Sequence, residues 1–338
     1  MKYKSIAVTE RGGPEVMQVV ESELRPPAAG EVLVKVLAAP VCGPDVQARY
    51  GQSPFALKVP FVPGYAVVGD VEAVGPGVAA ATAGAVVGDR VAALTVSGGY
   101  AEYVYLKDGD LIPVPGGLDV AQVATLILNY IVAYQTLHRS AKVEAGDKVL
   151  IIGASGGIGT AYLQLGRLAG LTMYGIASEA KHGVVAEYGA TPIDYRTQDF
   201  VAVIRQAEPG GLDAVFDGMI WGYLDRGFRL LRRGGTWVQY GNPMSLPGLL
   251  RLLGKLVILN LRPDGRALKL YGTSTSKFGR ERYLEDWATL FELLAEGKIE
   301  PIIMETFPIL EAARANELLE SGRVTGNLVL LAPELLEA

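Results

Sequence analysis

The stretch Gly153-Ala154-Ser155-Gly156-Gly157-Ile158-Gly159 follows directly on the apolar run Lys148-Val149-Leu150-Ile151-Ile152 and precedes a helix-like segment. A buried parallel strand that ends in closely spaced glycines lets the backbone turn tightly, approach a pyrophosphate and direct helix N–H groups at its charge. The usual G-x-G-x-x-G spacing has alanine in its first position here, so the segments around the turn must add specificity. We predict that Ala154, Ser155, Gly156, Gly157, Ile158 and Gly159 bind a dinucleotide.

Length and composition restrict the class of protein. The chain has 338 residues, of which 50% are hydrophobic and 20% charged, which is ordinary for a globular enzyme with two domains. A net charge of -5 and the lack of a dense basic run argue against a nucleic-acid partner. The single cysteine, Cys42, excludes an internal disulfide and a cysteine-cluster zinc site. The N-terminal residues show no apolar signal-peptide core, so we expect a cytoplasmic protein.

Strand-like and helix-like segments alternate from Val149 onward. Helix 157–168 carries apolar residues every three or four positions, and further strands are predicted over 172–176, 191–194, 213–217, 236–240 and 267–271. This alternation predicts an α/β fold with a doubly wound parallel sheet. The first 120 residues differ, because short strands such as 31–38 and 67–74 are separated by Pro and Gly clusters, which indicates a β-barrel or sandwich.

The longest apolar segment spans residues 246–261. Pro247, Gly248, Arg251, Gly254 and Lys255 interrupt it, so a stable membrane span is not expected. We predict a helix over 247–260 that packs over the sheet or lines a substrate cleft. A helix that lies in a membrane interface is the alternative.

Several joined motifs resemble the medium-chain dehydrogenase/reductase superfamily, in the zinc-independent branch of quinone oxidoreductases and vesicle amine transport protein 1. The resemblance covers nearly the whole chain. It implies a GroES-like β-barrel substrate domain over 1–123 and 272–338, with a Rossmann dinucleotide-binding domain inserted over 124–271. The matching segments are PAAGEVLVKV (27–36), PFVPGYAVVGDVEAVGPG (60–77), VGDRVAALTVSGGYAEYV (87–104), LNYIVAYQTL (128–137) and VEAGDKVLIIGASGGIG (143–159).

A catalytic zinc is not expected. The segment Cys42-Gly43-Pro44-Asp45 resembles the cysteine part of the zinc site of metal-dependent relatives, but Tyr65 and Ala66 stand where those enzymes carry histidine and glutamate. A thiolate without nitrogen or carboxylate partners does not complete a three-ligand site. Cys42 is then either a small buried hydrophobe or a contact for the nicotinamide or substrate.

The resemblance implies that NADPH delivers hydride to an electron-poor carbon of a quinone, enone or enoyl substrate, which is a small apolar or electrophilic molecule. Relatives often carry a tyrosine after an Arg-x-Gly-x step, but Arg49-Tyr50-Gly51-Gln52-Ser53 has serine there. The proton donor is therefore unassigned. The candidates for the substrate cleft are Cys42, Asp45, Tyr50 and Tyr65.

The end of the second Rossmann strand selects between NAD and NADP. Ile176-Ala177-Ser178 has no acidic residue to hold a ribose diol, and the resemblance implies that Ser178, Lys181 and Tyr195 surround a 2′-phosphate. We predict NADP(H). The alternatives are that Glu179 holds the diol, that Glu179, Lys181 and Arg196 are solvated surface charges, or that Lys181 alone contributes to the phosphate site.

Further positions are predicted from the resemblance alone. Asn129, Tyr240, Gly241 and Asn327 are expected to contact the cofactor, and a homodimer is expected to form through the edge strand at 267–271. Two alternatives stay open at this point. One is a nucleotide-binding sensor or membrane- or partner-associated protein without turnover, and the other is a specialised biosynthetic enzyme on the same scaffold.

Overall fold

The computed structural model describes residues 1–53, 56–78, 85–219, 222–241, 243–273 and 279–336. The chain forms two compact units. Unit 1 comprises residues 1–128, 287–297 and 301–338, and unit 2 comprises residues 129–286 and 298–300. The boundaries 1–123, 124–271 and 272–338 stay a prediction.

The secondary structure follows the predicted alternation. The strands are β1 (Lys2–Val8), β2 (Met17–Glu23), β3 (Glu31–Val41), β4 (Ala66–Val74), β5 (Arg90–Leu94), β6 (Tyr103–Lys107), β7 (Ile112–Pro113), β8 (Lys148–Ile152), β9 (Thr172–Ala177), β10 (Thr191–Asp194), β11 (Leu212–Asp217), β12 (Leu231–Gln239), β13 (Ala267–Leu270), β14 (Ile303–Pro308) and β15 (Asn327–Leu331). The helices are α1 (Gly43–Tyr50), α2 (Val120–Ala141), α3 (Gly157–Leu168), α4 (His182–Glu187), α5 (Phe200–Ala207), α6 (Tyr223–Gly227), α7 (Leu246–Asn260), α8 (Arg280–Ala295) and α9 (Ala312–Glu320).

Unit 2 is built on a parallel sheet with the strand order β10-β9-β8-β11-β12-β13. The chain first adds strands on one side of β8 and then returns to add strands on the other side. Its two central strands, β8 and β11, are mainly apolar, as expected where helices cover both faces of a parallel sheet. The predicted α/β fold with a doubly wound Rossmann sheet is confirmed.

Unit 1 is built mainly on an antiparallel sheet with the order β14-β15-β3-β4-β5-β7, in which β6 also pairs with β3. β14 and β15 come from the C-terminal part of the chain, and β15 pairs with β3. Alternate residues of these strands, including Val34, Val67, Val91 and Leu330, are fully buried in one core. The predicted β domain in the first part of the chain is present.

The alternation of strand-like and helix-like segments also predicts a helix over 224–231, between the strands at 213–217 and 236–240, and this helix is shorter than expected. α6 ends at Gly227, residues 228–230 form a single 3-10 turn, and β12 begins at Leu231. Leu231 pairs with Leu212 of β11. This pairing makes Leu231 the first residue of β12, although its spacing from Leu224 had placed it in the helix. Gly227 is also packed tightly, since a Cβ there would lie 3.0 Å from the rings of Phe200 and Trp237.

The outer edge of β13 is partly covered by a side chain. Asn260, at the end of α7, accepts from the Leu268 N–H at 2.8 Å and donates to the Leu268 carbonyl at 3.0 Å. Pairing of two copies along this edge would have to displace that amide. The homodimer predicted through residues 267–271 stays a prediction.

Among the described residues, one helix is long and apolar enough to cross a membrane, namely α2. In its most apolar window 83% is buried inside the protein, as in the core helix of a folded domain.

Candidate functional site

The glycine turn has the backbone conformation that a pyrophosphate site requires. Gly153 adopts φ +79°, in the left-handed region that favours glycine, and Ala154 is fully buried. A Cβ on Gly159 would lie 2.2 Å from the Gly153 carbonyl oxygen, so only glycine permits this contact between the turn and the first turn of α3. Gly156 caps α3 without a side chain, which leaves the helix N-terminus open to an anion.

The strand order places the ligand crevice beside this turn. β8 and β11 are neighbours from which the chain departs in opposite directions, and ligands bind at the carboxyl ends of strands at such a point. The Asp217 carbonyl, at the end of β11, accepts from the backbone N–H groups of Tyr240 at 2.9 Å and Gly241 at 3.4 Å. A Cβ on Gly218 would lie 2.6 Å from the Tyr240 ring. Tyr240 and Gly241 are therefore held at the same edge of the sheet as Gly153.

A cluster of cations lies where a 2′-phosphate is predicted. Ser178 follows β9, and its carbonyl accepts from the Lys181 N–H at 2.8 Å. Partial burial lowers the pKa of Lys181, and the nearby Arg196 guanidinium lowers it further. Arg196 lies 5.5 Å from the centroid of the Tyr195 ring, and Tyr195 is half exposed. An anion between these two cations would relieve their mutual repulsion.

The two acidic residues near this cluster differ in their exposure to solvent. Glu179 is exposed in a 3-10 turn over Glu179–Lys181. Asp194, at the end of β10, is buried and accepts from the Thr197 hydroxyl at 2.6 Å and from the Arg196 N–H at 3.2 Å. The Thr197 hydrogen bond is the main cause that lowers the pKa of Asp194. Asp194 thus shapes the turn that carries Tyr195 and Arg196.

In unit 1, Cys42 and Asp45 belong to one buried polar cluster. The Asp45 carboxylate accepts from the Cys42 thiol at 2.8 Å, the Gly64 N–H at 2.9 Å and the Tyr100 hydroxyl at 2.9 Å. Burial raises the pKa of Asp45 despite these bonds, and burial together with the carboxylate raises the pKa of Cys42 well above its usual value. A buried thiol of this kind is a poor nucleophile and metal ligand, since both roles need the thiolate.

The two tyrosine candidates have different surroundings. The Tyr50 hydroxyl, at the end of α1, donates to Glu320 of α9 at 2.9 Å, and the ring is partly exposed. Tyr65 is half-buried, and its carbonyl accepts from the N–H groups of Thr95 and Val96. Asp45 holds the Gly64 N–H next to it, so Tyr65 lies on a fixed turn.

The two predicted asparagine contacts lie in different units. Asn129 is buried in a π-helical stretch of α2, Leu126–Tyr130, in unit 2. Asn327 begins β15 in unit 1, where its side-chain amide and its backbone N–H both donate to the Ile302 carbonyl at 2.9 Å. These hydrogen bonds hold the start of β15 to the segment before β14. Contact of either asparagine with the cofactor stays a prediction.

Sequence reasoning missed Tyr100 and Gln239. Tyr100 is fully buried and lies 55 residues from Asp45 along the chain, so only the fold brings the two together. The Gln239 side-chain amide donates to the Asp217 carbonyl at 2.8 Å and so holds the end of β11. β12 also carries the polar residues Arg232, Arg233 and Thr236, so no feature of the sequence singled out Gln239.

Two family models match the chain. The alcohol dehydrogenase GroES-like domain matches residues 28–116, and the zinc-binding dehydrogenase model matches residues 188–330. Within the described residues, no group of three or more His, Cys, Asp or Glu side chains is placed to hold a metal ion. The fold and both matches define a medium-chain dehydrogenase/reductase, which is a class of oxidoreductase.

The chain belongs to the group of quinone oxidoreductases and VAT-1 homologues within that superfamily. It is 31% identical to quinone oxidoreductase of Rattus norvegicus, over 97% of each chain. It is 30% identical to the synaptic vesicle membrane protein VAT-1 homolog of Homo sapiens, over 97% of this chain and 86% of the relative. The crystal structure of Escherichia coli quinone oxidoreductase complexed with NADPH superposes with a TM-score of 0.84 at 25% identity, over 97% of this chain and 99% of that one.

Proposed function

We propose that this protein is an NADPH-dependent reductase that transfers hydride to a quinone, an enone or an enoyl compound without a catalytic zinc. The observation that carries the choice of NADPH is the cationic cluster at the ends of β9 and β10. Lys181 and Arg196 lie close enough for the guanidinium to lower the pKa of the ammonium, and the end of β9 offers Ser178 in place of an acid. A structural neighbour complexed with NADPH supports the same choice.

The residues of unit 2 fit the cofactor along its length. The turn from Gly153 to Gly159 and the open N-terminus of α3 would hold the pyrophosphate, and Ser178, Lys181, Tyr195 and Arg196 would hold the 2′-phosphate. Bound NADPH supplies the hydride itself. Tyr240 and Gly241, fixed by the Asp217 carbonyl, would limit where the nicotinamide end can lie and exclude water from it.

Independence from zinc rests on the chemistry of unit 1. Tyr65 and Ala66 offer neither imidazole nor carboxylate, and the Asp45 carboxylate is already bonded to three donors. Metal-dependent relatives use the metal to polarise a carbonyl and stabilise an alkoxide. A quinone or enone accepts hydride at a carbon that is already activated, so its reduction depends less on a metal that polarises the carbonyl. A site without zinc therefore favours an acceptor that is already electron-poor.

Substitution of Lys181 tests the 2′-phosphate site. We expect Lys181→Ala to weaken NADPH binding about 10- to 100-fold, since a hydrogen bond from a charged donor is worth about 1.5–3 kcal/mol. NADH lacks the phosphate, so its affinity should change less than about twofold. Fluorescence titration of the purified protein with each nucleotide measures both dissociation constants.

Arg205→Ala provides the matched control, because it removes an exposed cation from α5 in the same unit. It should leave both affinities unchanged. An equal loss of NADH and NADPH affinity in Lys181→Ala would show that the lysine does not meet the 2′-phosphate.

A further inference from the structure

Tyr162 is a fully buried tyrosine of α3, the helix whose N-terminus would hold the pyrophosphate. Its ring stacks on the ring of Phe216 in β11, with the centroids 4.7 Å apart and the planes 28° from parallel. It also packs against the ring of Tyr240, with the centroids 5.7 Å apart and an angle of 45° between the planes. All three residues belong to unit 2. The pyrophosphate helix therefore contacts the residue that we expect beside the nicotinamide.

The hydroxyl of Tyr162 holds its ring in one position. It shares a hydrogen bond with the Thr136 hydroxyl, which in turn donates to the Val132 carbonyl at 2.6 Å. Because the threonine uses its only proton in this bond, the Tyr162 hydroxyl is the donor to Thr136. Burial raises the pKa of Tyr162 well above its usual value, so the hydroxyl keeps that proton. The ring is thus tied to α2 at its hydroxyl and to β11 by stacking.

The ring of Tyr240 is held from a second side by Gly218. A Cβ on Gly218 would lie 2.6–2.9 Å from two ring carbons of Tyr240 and from its hydroxyl oxygen, so any side chain at this position would displace the ring. Tyr240 is only partly buried, whereas Tyr162 and Phe216 are fully buried. Part of the Tyr240 ring therefore stays available to a ligand at the carboxyl edge of the sheet.

We propose that Tyr162 is a positioning residue for the nicotinamide half of NADPH and that it acts through the ring of Tyr240. The inference rests on the proposed binding of NADPH. α3 then positions the cofactor at two places. Its N-terminus binds the pyrophosphate, and Tyr162, in its second turn, supports the ring against which the nicotinamide lies.

Titration of the purified protein with NADPH and with 2′,5′-ADP, which carries the 2′-phosphate but no nicotinamide, tests the proposal. We expect Tyr162→Leu to weaken NADPH binding about 3- to 10-fold, as for the loss of an aromatic contact, and 2′,5′-ADP binding by less than about twofold. Tyr162→Phe keeps the ring, so both affinities should stay within about twofold of the wild type. The ratio of the two dissociation constants is the readout, because unfolded protein in the sample would weaken both affinities by the same factor.

Tyr174→Leu is the matched control. Tyr174 is a buried tyrosine of β9 whose hydroxyl donates to Glu208 at 2.8 Å, at the edge of the sheet where Glu208 also pairs with Lys148. This edge is opposite to the one that carries the cofactor, so the variant should leave the ratio of the two dissociation constants unchanged.

A double-mutant cycle shows whether Tyr162 acts through Tyr240. Tyr240→Leu alone should raise the ratio of the NADPH constant to the 2′,5′-ADP constant, and adding Tyr162→Leu should change it by less than about twofold, because the ring through which Tyr162 acts is gone. A further rise as large as in the wild-type background would overturn the proposal, and so would an unchanged ratio in Tyr162→Leu alone. A wild type that binds neither nucleotide would contradict the proposed function, and this inference with it.

Discussion

Gly159→Ala is expected to weaken NADPH binding by about 100-fold or more. The added Cβ would lie 2.2 Å from the Gly153 carbonyl oxygen and 2.5–2.6 Å from the carbonyl group of Ala154. All of these atoms are backbone atoms of the pyrophosphate turn, so no side chain can move aside and the turn itself must open. Loss of the geometry removes several hydrogen bonds to the phosphates at once, each worth about 1.5–3 kcal/mol. Titration with NADPH measures the loss.

Gly254→Ala is the control that shows whether replacement of a glycine by alanine elsewhere in the chain also weakens NADPH binding. Gly254 lies within α7, and nothing is within 4 Å of the added Cβ. The variant should bind NADPH normally and gain up to about 1 kcal/mol in stability, because alanine favours a helix. Wild-type affinity in Gly159→Ala would contradict the assignment of residues 153–159 to the pyrophosphate.

Asp45→Ala should lower the free energy of unfolding by about 3–5 kcal/mol. The substitution leaves the Cys42 thiol, the Gly64 N–H and the Tyr100 hydroxyl without their shared acceptor in a buried place. An unsatisfied buried polar group costs about 1–3 kcal/mol, and the thiol costs least. Denaturant unfolding followed by circular dichroism measures the change. A loss below about 1 kcal/mol would mean that the cluster does not hold the turn before Tyr65.

The contribution of Asp45 to the stability of the folded protein should change with pH in a definite direction. Burial raises the pKa of Asp45 above its ordinary value of 3.8 in the folded protein, so the folded state binds this proton more tightly than the unfolded chain. The resulting stabilisation is complete below the unfolded pKa and is lost as the pH rises through the folded pKa. Asp45→Asn does not titrate there. The stability of the wild type relative to Asp45→Asn should therefore fall as the pH rises above 3.8, and a relative stability that rises would contradict the account.

The sequence predicts unit 2 well for a physical reason. Parallel strands buried on both faces contain continuous apolar runs, as at residues 149–152 and 214–216, and helices such as Gly157–Leu168 have a different period. Glycine at a positive φ, as at Gly153, is also a local requirement that the sequence displays directly. The position of Lys181 and Tyr195 follows from the ends of their strands.

Long-range contacts could not be predicted in the same way. Asp45 and Tyr100 belong to segments separated by two strands, β4 and β5, so nothing local indicates that they share a hydrogen bond. The early end of α6 depends on Leu231 pairing with Leu212, which is a contact between strands. The exposure of Leu250 and Val257 depends on which face of α7 meets the sheet. Each outcome is set by tertiary packing, which overrides local propensity.

Turnover of NADPH with a panel of quinones and enones, in the presence of a metal chelator, tests the central proposal most directly. We expect loss of NADPH absorbance that depends on the acceptor, is faster than with NADH and is unaffected by the chelator. Tight NADPH binding with no turnover of any acceptor would contradict the proposed reductase and favour a nucleotide-binding protein that performs no reduction. Turnover that the chelator abolishes would contradict the proposed independence from zinc.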